Sequence, residues 1–307
     1  PGGTDVGRII HDEVRKTTYV QHLVDAAETE LGGLKVVVDG ANGAASHIAP
    51  LVYRRLGADV ETIHCDPNGA NINAGAGSTH PEVISSAVLE HGADVGLSHD
   101  GDADRLVAAT REGDEVDGDV TLAILARHRK QIGTLKGDLV VTTVMTNLGF
   151  KRSMERHGIE VVETPVGDRY VLAAMRGQGA VLGGEQSGHL IVLDEATTGD
   201  GILTAVKLLS VVRETGTPLA ELASVMERLP QVLVNVRVAD RDALEGSQAV
   251  WDAVAAEETL LGDEGRILLR ASGTETVVRV MVEAPTEAAA SEVAGRLADV
   301  VRAELGA

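Results

Sequence analysis

This chain of 307 residues predicts an α/β fold: two related α/β domains with mixed or parallel sheets, followed by a small α+β domain at the C-terminus. Three observations predict it. Runs at 34–38, apolar but for Lys35, and at 139–141 read as strands buried on both faces, as in a parallel sheet. The helix–glycine–strand cadence of 56–60 returns at 157–162, which suggests two sister domains. Beyond Leu229-Pro230 the pattern changes to alternating strands with longer helices.

The elements follow in order. Residues 1–7 are turn-rich and read as a linker or a strand edge. Tyr19, Leu23, Ala26 and Ala27 recur at helical spacing over 16–31, and Gly32-Gly33 stops the helix. Residues 34–39 form the first strand, Gly40-Ala41-Asn42-Gly43 its turn, 44–56 a helix and 60–64 the second strand. A helix over 81–91 and a strand over 93–98 complete the first block. The second block has a strand at 139–142 and a helix running through Arg156. In the last, 232–238, 266–270 and 277–283 are strands and 246–258 is a helix. A closing helix runs from a Thr286 cap to Leu305, with Val293, Leu297, Val300 and Val301 on one face. The expected domains are therefore 1–115, 116–230 and 231–307.

Composition narrows the function classes. A net charge of −20 argues against a broad nucleic-acid surface and against adhesion to an anionic membrane. Aromatic residues at 2% leave few platforms on which bases could stack. The single cysteine, Cys65, excludes an internal disulfide and fits a reducing, cytoplasmic compartment. No run approaches the ~20 apolar residues of a membrane span. Glycine is abundant, 35 residues, as where backbone turns tightly or approaches a ligand.

Three loops carry the chemistry. The first is Asp100-Gly101-Asp102-Ala103-Asp104-Arg105. Three carboxylates at alternate positions repel unless a cation neutralises them, and hard oxygen ligands suit Mg²⁺. A calcium-binding EF-hand needs glycine and glutamate at its sixth and twelfth positions, where this chain has Arg105 and Arg111. An acidic surface turn is the plainer alternative. The second loop, Gly183-Gly184-Glu185-Gln186-Ser187-Gly188-His189, sets an acid, a hydroxyl and an imidazole between glycines. Such a loop can hold sugar hydroxyls and supply a general acid or base, although His189 also reads as a hydrogen-bonded structural histidine. The third is Arg270-Ala271-Ser272-Gly273-Thr274-Glu275, with Arg279 on the next strand. Arginine, hydroxyls and glycine-exposed N–H groups make a phosphate cradle, unless Arg270 and Arg279 only form surface ion pairs. On so acidic a chain an anionic ligand needs a local positive pocket, which Arg105, Arg169, Arg270 and Arg279 provide.

In this order, the three loops resemble those of the α-D-phosphohexomutase superfamily. Its second domain carries a metal loop D-G-D-x-D-R, its third a sugar-recognition loop and its fourth a phosphate loop R-x-S-G-T. The resemblance covers essentially the whole chain. It implies that Asp100, Asp102 and Asp104 hold one Mg²⁺ and that Arg105 and His189 are catalytic. It assigns Arg169, Glu185, Ser187, Arg270, Ser272, Gly273, Thr274 and Arg279 to substrate binding. Gln186, with the string Val166-Gly167-Asp168-Arg169-Tyr170, points to the branch that isomerises glucosamine phosphates for amino-sugar nucleotide and cell-wall precursor synthesis. The implied partners are a hexosamine phosphate and its 1,6-bisphosphate intermediate, with no nucleic acid and no membrane; a homodimer is compatible with the sequence.

Two departures from the pattern stand out. Thr276 replaces the proline that usually follows R-x-S-G-T-E. The phosphoserine loop of the first domain, T-A-S-H-N-P in form, has no match. Ala45-Ser46-His47-Ile48-Ala49-Pro50 lacks the asparagine and follows the first strand of the metal-loop domain, while Ser78-Thr79-His80-Pro81 reads as a turn and helix cap. The chain therefore reads as domains two to four without the first, as its start at Pro1 suggests, and as inactive by itself. Rival readings are a phosphomannomutase or phosphoglucomutase, and a non-catalytic sugar-phosphate-binding fragment. A haloacid-dehalogenase-type phosphatase using Asp100 and Asp102 expects Thr or Val where Asp104 stands.

Overall fold

The computed structural model describes residues 13–272 and 275–306. By packing, the chain divides into two units: residues up to Met145 with Met154–Val225, and Thr146–Ser153 with residues from Met226 onward.

The first unit contains two sheets. After helix α1 (Glu13–Asp25), strand β1 (Lys35–Asp39) leads into α2 (Ala45–Arg55) and β2 (Asp59–Ile63), then α3 (Pro81–His91) and β3 (Val95–His99). Val36 of β1 is in parallel register with Val60 on one side and Val95 on the other, and Val36, Val37 and Val38 are fully buried. The all-apolar run is thus central because both its faces are covered. Strands β4 (Leu106–Thr110) and β5 (Glu115–Val116) add antiparallel, giving the order β2-β1-β3-β4-β5.

Helix α4 (Gly118–Gln131) leads to the second sheet, whose strands are β6 (Leu139–Thr143), β7 (Glu160–Thr164), β8 (Leu182–Gly184) and β9 (Leu190–Val192); in the chain α5 (Leu148–Arg156) follows β6 and α6 (Asp168–Gln178) follows β7. Its order is β7-β6-β8-β9, with the first three strands parallel and the last antiparallel. The two sheets share one layout, in which a second strand, a first and a third run parallel and a fourth turns back as a hairpin. The expected pair of related α/β domains is present.

Helices α7 (Gly201–Thr215) and α8 (Leu219–Ala223) close this unit. The elements within 106–131 and 201–223 were not expected from the sequence. Every residue of α7 from Gly201 to Val212 is buried, including the polar Thr204, Lys207 and Ser210 that recur at helical spacing, so the helix has no solvated face there. The expected helix over 16–31 stops instead at Asp25. The Ala27 N–H, which would make the next helical bond to Leu23, goes to the Val24 carbonyl at 3.2 Å, the Ala26 carbonyl accepts from Lys207 Nζ at 2.7 Å, and the Leu31 N–H turns to the Leu56 carbonyl at 2.7 Å.

In the second unit β10 (Gln231–Arg237), β11 (Arg266–Ala271) and β12 (Val277–Glu283) form an antiparallel sheet ordered β10-β12-β11, packed with α9 (Gln248–Leu261) and α10 (Glu287–Leu305). The Thr286 side chain caps α10 by accepting the Ala289 N–H, as its position before the helix predicts. Buried Glu283 pairs with Arg266 at 3.0 Å and accepts the Leu148 N–H at 2.9 Å, which ties Thr146–Ser153 to this sheet. Among the described residues no helix is long and apolar enough to cross a membrane.

Candidate active site

The fully buried strand β3 delivers Asp100 to the turn of the β3–β4 hairpin, where His99 pairs with Leu106. The turn coils on itself: the Asp100 carbonyl accepts the Ala103 N–H at 3.1 Å, and Asp100 Oδ1 accepts the Arg105 N–H at 3.2 Å. Ala103 sits at φ 64°, left-handed backbone that a non-glycine residue seldom adopts. Its carbonyl is held by the Gly201 N–H at 2.9 Å, and the Gly101 carbonyl by the Ala44 N–H at 2.9 Å. Side chains at alternate positions therefore converge, and one carboxylate oxygen each of Asp100, Asp102 and Asp104 lies within 4.8 Å of the others.

The electrostatics match that crowding. Burial, followed by the charges of Asp104 and Asp102, pushes the Asp100 carboxyl up to about 6. The Arg105 backbone N–H offsets this only in part, while the Arg105 Nε lies 3.6 Å from Asp100 and 3.7 Å from Asp104 without a hydrogen bond to either. Asp104 Oδ1 is likewise buried and without a hydrogen-bond partner among the described residues. Three converging carboxylates, one with an orphaned buried oxygen, fit a hard divalent cation.

The sugar-type loop is the matching hairpin turn of the second sheet, between β8 and β9. It is closed by the Glu185 N–H on the His189 carbonyl at 3.0 Å and the Gly188 N–H on the Glu185 carbonyl at 3.0 Å. Gly188 is at φ 92°, and a Cβ there would stand 2.2 Å from the Leu106 carbonyl oxygen. That close approach lets the two hairpins join, with the Leu106 N–H donating to the Gly188 carbonyl at 3.1 Å. His189 is buried, and its Nδ1 lies 3.0 Å from Asp104 Oδ2. A carboxylate accepts, so Nδ1 bears the proton of that bond, and Nε2 is left buried without a partner among the described residues. Glu185 Oε1 accepts the Gly167 N–H at 2.9 Å, which brings in the turn before Arg169, while Ser187 is exposed. The Arg169 guanidinium lies 4.6 Å from the centre of the Tyr170 ring and donates to its hydroxyl at 2.6 Å.

The phosphate-type loop belongs to the second unit. Arg270 and Arg279 are cross-strand partners on β11 and β12, and burial, then Arg279, lowers the pKa of Arg270. Like charges face each other there, an arrangement that an anion would relieve. Ser272 is buried; its N–H donates to the Val277 carbonyl at 2.9 Å, and its Oγ accepts the Glu275 N–H at 3.3 Å. Gly273 and Thr274 lie outside the described residues. Arg279 pairs with Glu275 at 3.4 Å, yet its Nε is buried and without a hydrogen-bond partner among the described residues. The sequence analysis did not single out Arg241, whose Nη1 donates to the Ser272 carbonyl at 2.6 Å.

Nor did it single out the residues behind the metal-type loop. His99 Nδ1 is 3.1 Å from the Arg105 carbonyl, and its Nε2 is 3.1 Å from the Tyr53 hydroxyl. Tyr19 donates to Asp200 at 2.8 Å, and Asp200 caps α7 beside the same loop. Burial lowers the pKa of His99 and raises that of Tyr53, so both side chains stay uncharged. No sequence motif marks these residues, because they meet only in the folded chain.

Known proteins settle the ancestry. Residues 17–113, 117–229 and 233–300 match domain II, domain III and the C-terminal domain of "Phosphoglucomutase/phosphomannomutase". The chain belongs to the phosphoglucomutase/phosphomannomutase family. Its sequence is 57% identical to the phosphoglucosamine mutase of Frankia alni over all of this chain and 68% of that protein. It is 55% identical to that of Streptomyces griseus, again over all of this chain and 68% of the relative. This chain thus spans about two thirds of the length of these relatives. The fold also superposes on Aspergillus fumigatus N-acetylphosphoglucosamine mutase, solved with GlcNAc-6P and magnesium. That match has a TM-score of 0.77 at 21% identity and covers 94% of this chain and 66% of the other. Curated relatives at this level are phosphoglucosamine mutases, which are isomerases, and this chain is of that kind.

Proposed function

We propose that this chain holds the metal-, sugar- and phosphate-handling parts of a phosphoglucosamine mutase, one in each of the domains 1–115, 116–230 and 231–307. The reaction interconverts glucosamine 6-phosphate and glucosamine 1-phosphate through a phosphoserine and a 1,6-bisphosphate. The observation that carries this reading is the junction of the two hairpin turns, where His189 meets Asp104 at 3.0 Å. A metal-type loop and a sugar-type loop joined in this way make a single site.

Asp100, Asp102 and Asp104 would hold one Mg²⁺, which when bound offsets the negative charge of phosphoryl transfer. Glu185 and Ser187 bind the sugar hydroxyls. As the hydroxyl oxygen bonds to phosphorus and the phosphorus–serine bond breaks, His189 Nε2 takes the hydroxyl proton, oriented for this through Nδ1 by Asp104. Arg105 steadies the phosphoryl group in transfer. Arg270, Ser272, Gly273, Thr274 and Arg279 grip the phosphate that does not react, and Arg169 is a further substrate-binding residue. After the bisphosphate reorients, the same residues serve the return transfer. A cytoplasmic location goes with this reading, as the unpaired Cys65 agrees.

The phosphoryl-carrying serine is supplied from outside these 307 residues, since no serine here lies in a matching loop. The purified chain is expected to bind glucosamine 6-phosphate and Mg²⁺ but to show no turnover. Sustained interconversion of the two phosphates by this chain would refute the assignment of the carrier. Failure to bind either ligand by calorimetry would refute the site.

A further inference from the structure

We infer that Tyr53 and His99 are positioning residues for this site, forming a buried strut that fixes the backbone of the loop bearing Asp100, Asp102 and Asp104. The inference rests on the reading of that loop as a cation site.

The chemistry of the hydrogen bonds sets the direction of the strut. The Arg105 carbonyl can only accept, so the proton of the 3.1 Å contact is on His99 Nδ1. An uncharged ring then has a lone pair on Nε2, and the Tyr53 hydroxyl donates to it at 3.1 Å. Both side chains are fully buried, so neither bond competes with water, and losing either partner leaves a polar atom stranded.

Its place in the loop explains what the strut is for. The Gly201 N–H holds the Ala103 carbonyl at 2.9 Å, and His99 holds that of Arg105. Asp104 lies between these two fixed carbonyls. Ala103 must keep its left-handed φ of 64° for Asp102 and Asp104 to turn inward with Asp100. Such a conformation persists only where its surroundings over-determine it. Gly201 also stacks tightly here, since a Cβ on it would lie 2.1 Å from the Arg105 oxygen and 3.0 Å from His99 Nδ1. The strut therefore presses the loop's last carbonyl against a helix start that has no room to give.

The test uses Tyr53→Phe, His99→Leu and His99→Asn in the 307-residue chain, with two readouts: Mg²⁺ affinity by calorimetry, and hydrogen exchange of the 103–106 amides without metal. His99→Leu is expected to weaken Mg²⁺ binding at least tenfold, in line with other residues that support metal ligands. His99→Asn should recover most of that loss, because its amide N–H stands where Nδ1–H stood. Tyr53→Phe removes one oxygen and is expected to weaken binding about threefold and to speed exchange at 103–106 by roughly tenfold, with other protected amides unchanged. If His99→Leu does not fold, Tyr53→Phe alone decides. Unchanged exchange at 103–106 in Tyr53→Phe overturns the strut, and so does an Asn variant that binds Mg²⁺ as poorly as the Leu variant. If the unaltered chain binds no Mg²⁺, the cation reading fails while the exchange result still judges the strut.

Discussion

The β3–β4 turn and the β8–β9 turn occupy the same place in two sheets of the same layout, yet they gather different chemical groups. In the first, three carboxylates crowd together, and the strain is contained by contacts from outside: Ala44, Gly201 and His99 hold its carbonyls. In the second, Glu185, Gly188 and His189 close the turn by their own backbone, the Gly118 and Leu106 N–H groups hold its Gln186 and Gly188 carbonyls, and Glu185 and His189 reach partners elsewhere. The contrast teaches that a repeated scaffold can set two different chemistries side by side. One turn gathers three carboxylates around a common point, while the other spaces an acid, an amide, a hydroxyl and an imidazole between glycines.

The sharpest way to break this comparison is to pry the turns apart. Gly188→Val meets the Leu106 carbonyl and a left-handed φ at once, and is expected to cost about 3 kcal/mol or more of stability, read as a fall in Tm. A Tm within a degree of the parent would show that the hairpins are not locked together. A smaller and more selective effect separates their roles. Asp102→Asn should weaken Mg²⁺ binding by roughly tenfold or more, since removing one ligand charge is a main lever on such sites. Ser187→Ala should leave Mg²⁺ affinity alone and weaken glucosamine 6-phosphate by about 1 kcal/mol, one hydrogen bond. Equal effects of both variants on both ligands would merge the roles assigned to the two turns.

The mildest test is pH. Asp100 titrates near 6 in the fold and near 3.8 in the unfolded chain, so the folded state binds its proton more tightly. Its contribution to stability without metal is present below about 4 and is lost as pH rises through 6. A cation needs the ionised form, so added Mg²⁺ should raise Tm more at pH 7.5 than at pH 5. The β8–β9 turn offers no comparable carboxylate cluster. Equal Tm gains at the two pH values would show that Asp100 is not a ligand.

Elements with a clear period or an unbroken apolar run were legible in the sequence. The Val36-Val37-Val38 run and the Thr286-capped last helix lie where the pattern puts them, because one is covered on both faces and the other on one. Helix α7 was not read from the sequence, since apolar residues dominate it on every side and only Thr204, Lys207 and Ser210 mark its period. Among site residues, Asp100, Asp102 and Asp104 announce themselves by their alternate spacing, and their oxygens do converge. Tyr53, His99, Gly201 and Arg241 do not, because each acts through a backbone carbonyl distant in sequence or through a contact that no local pattern records.

By itself the order of residues determined which chemical groups sit on which turn, since spacing within a loop is a local property of the chain. Only the tertiary structure decided that Asp104 faces His189 and that Tyr53 braces His99. These pairings need strands and helices far apart in sequence to pack to within hydrogen-bonding distance, and close packing is settled by the whole core rather than by any one segment.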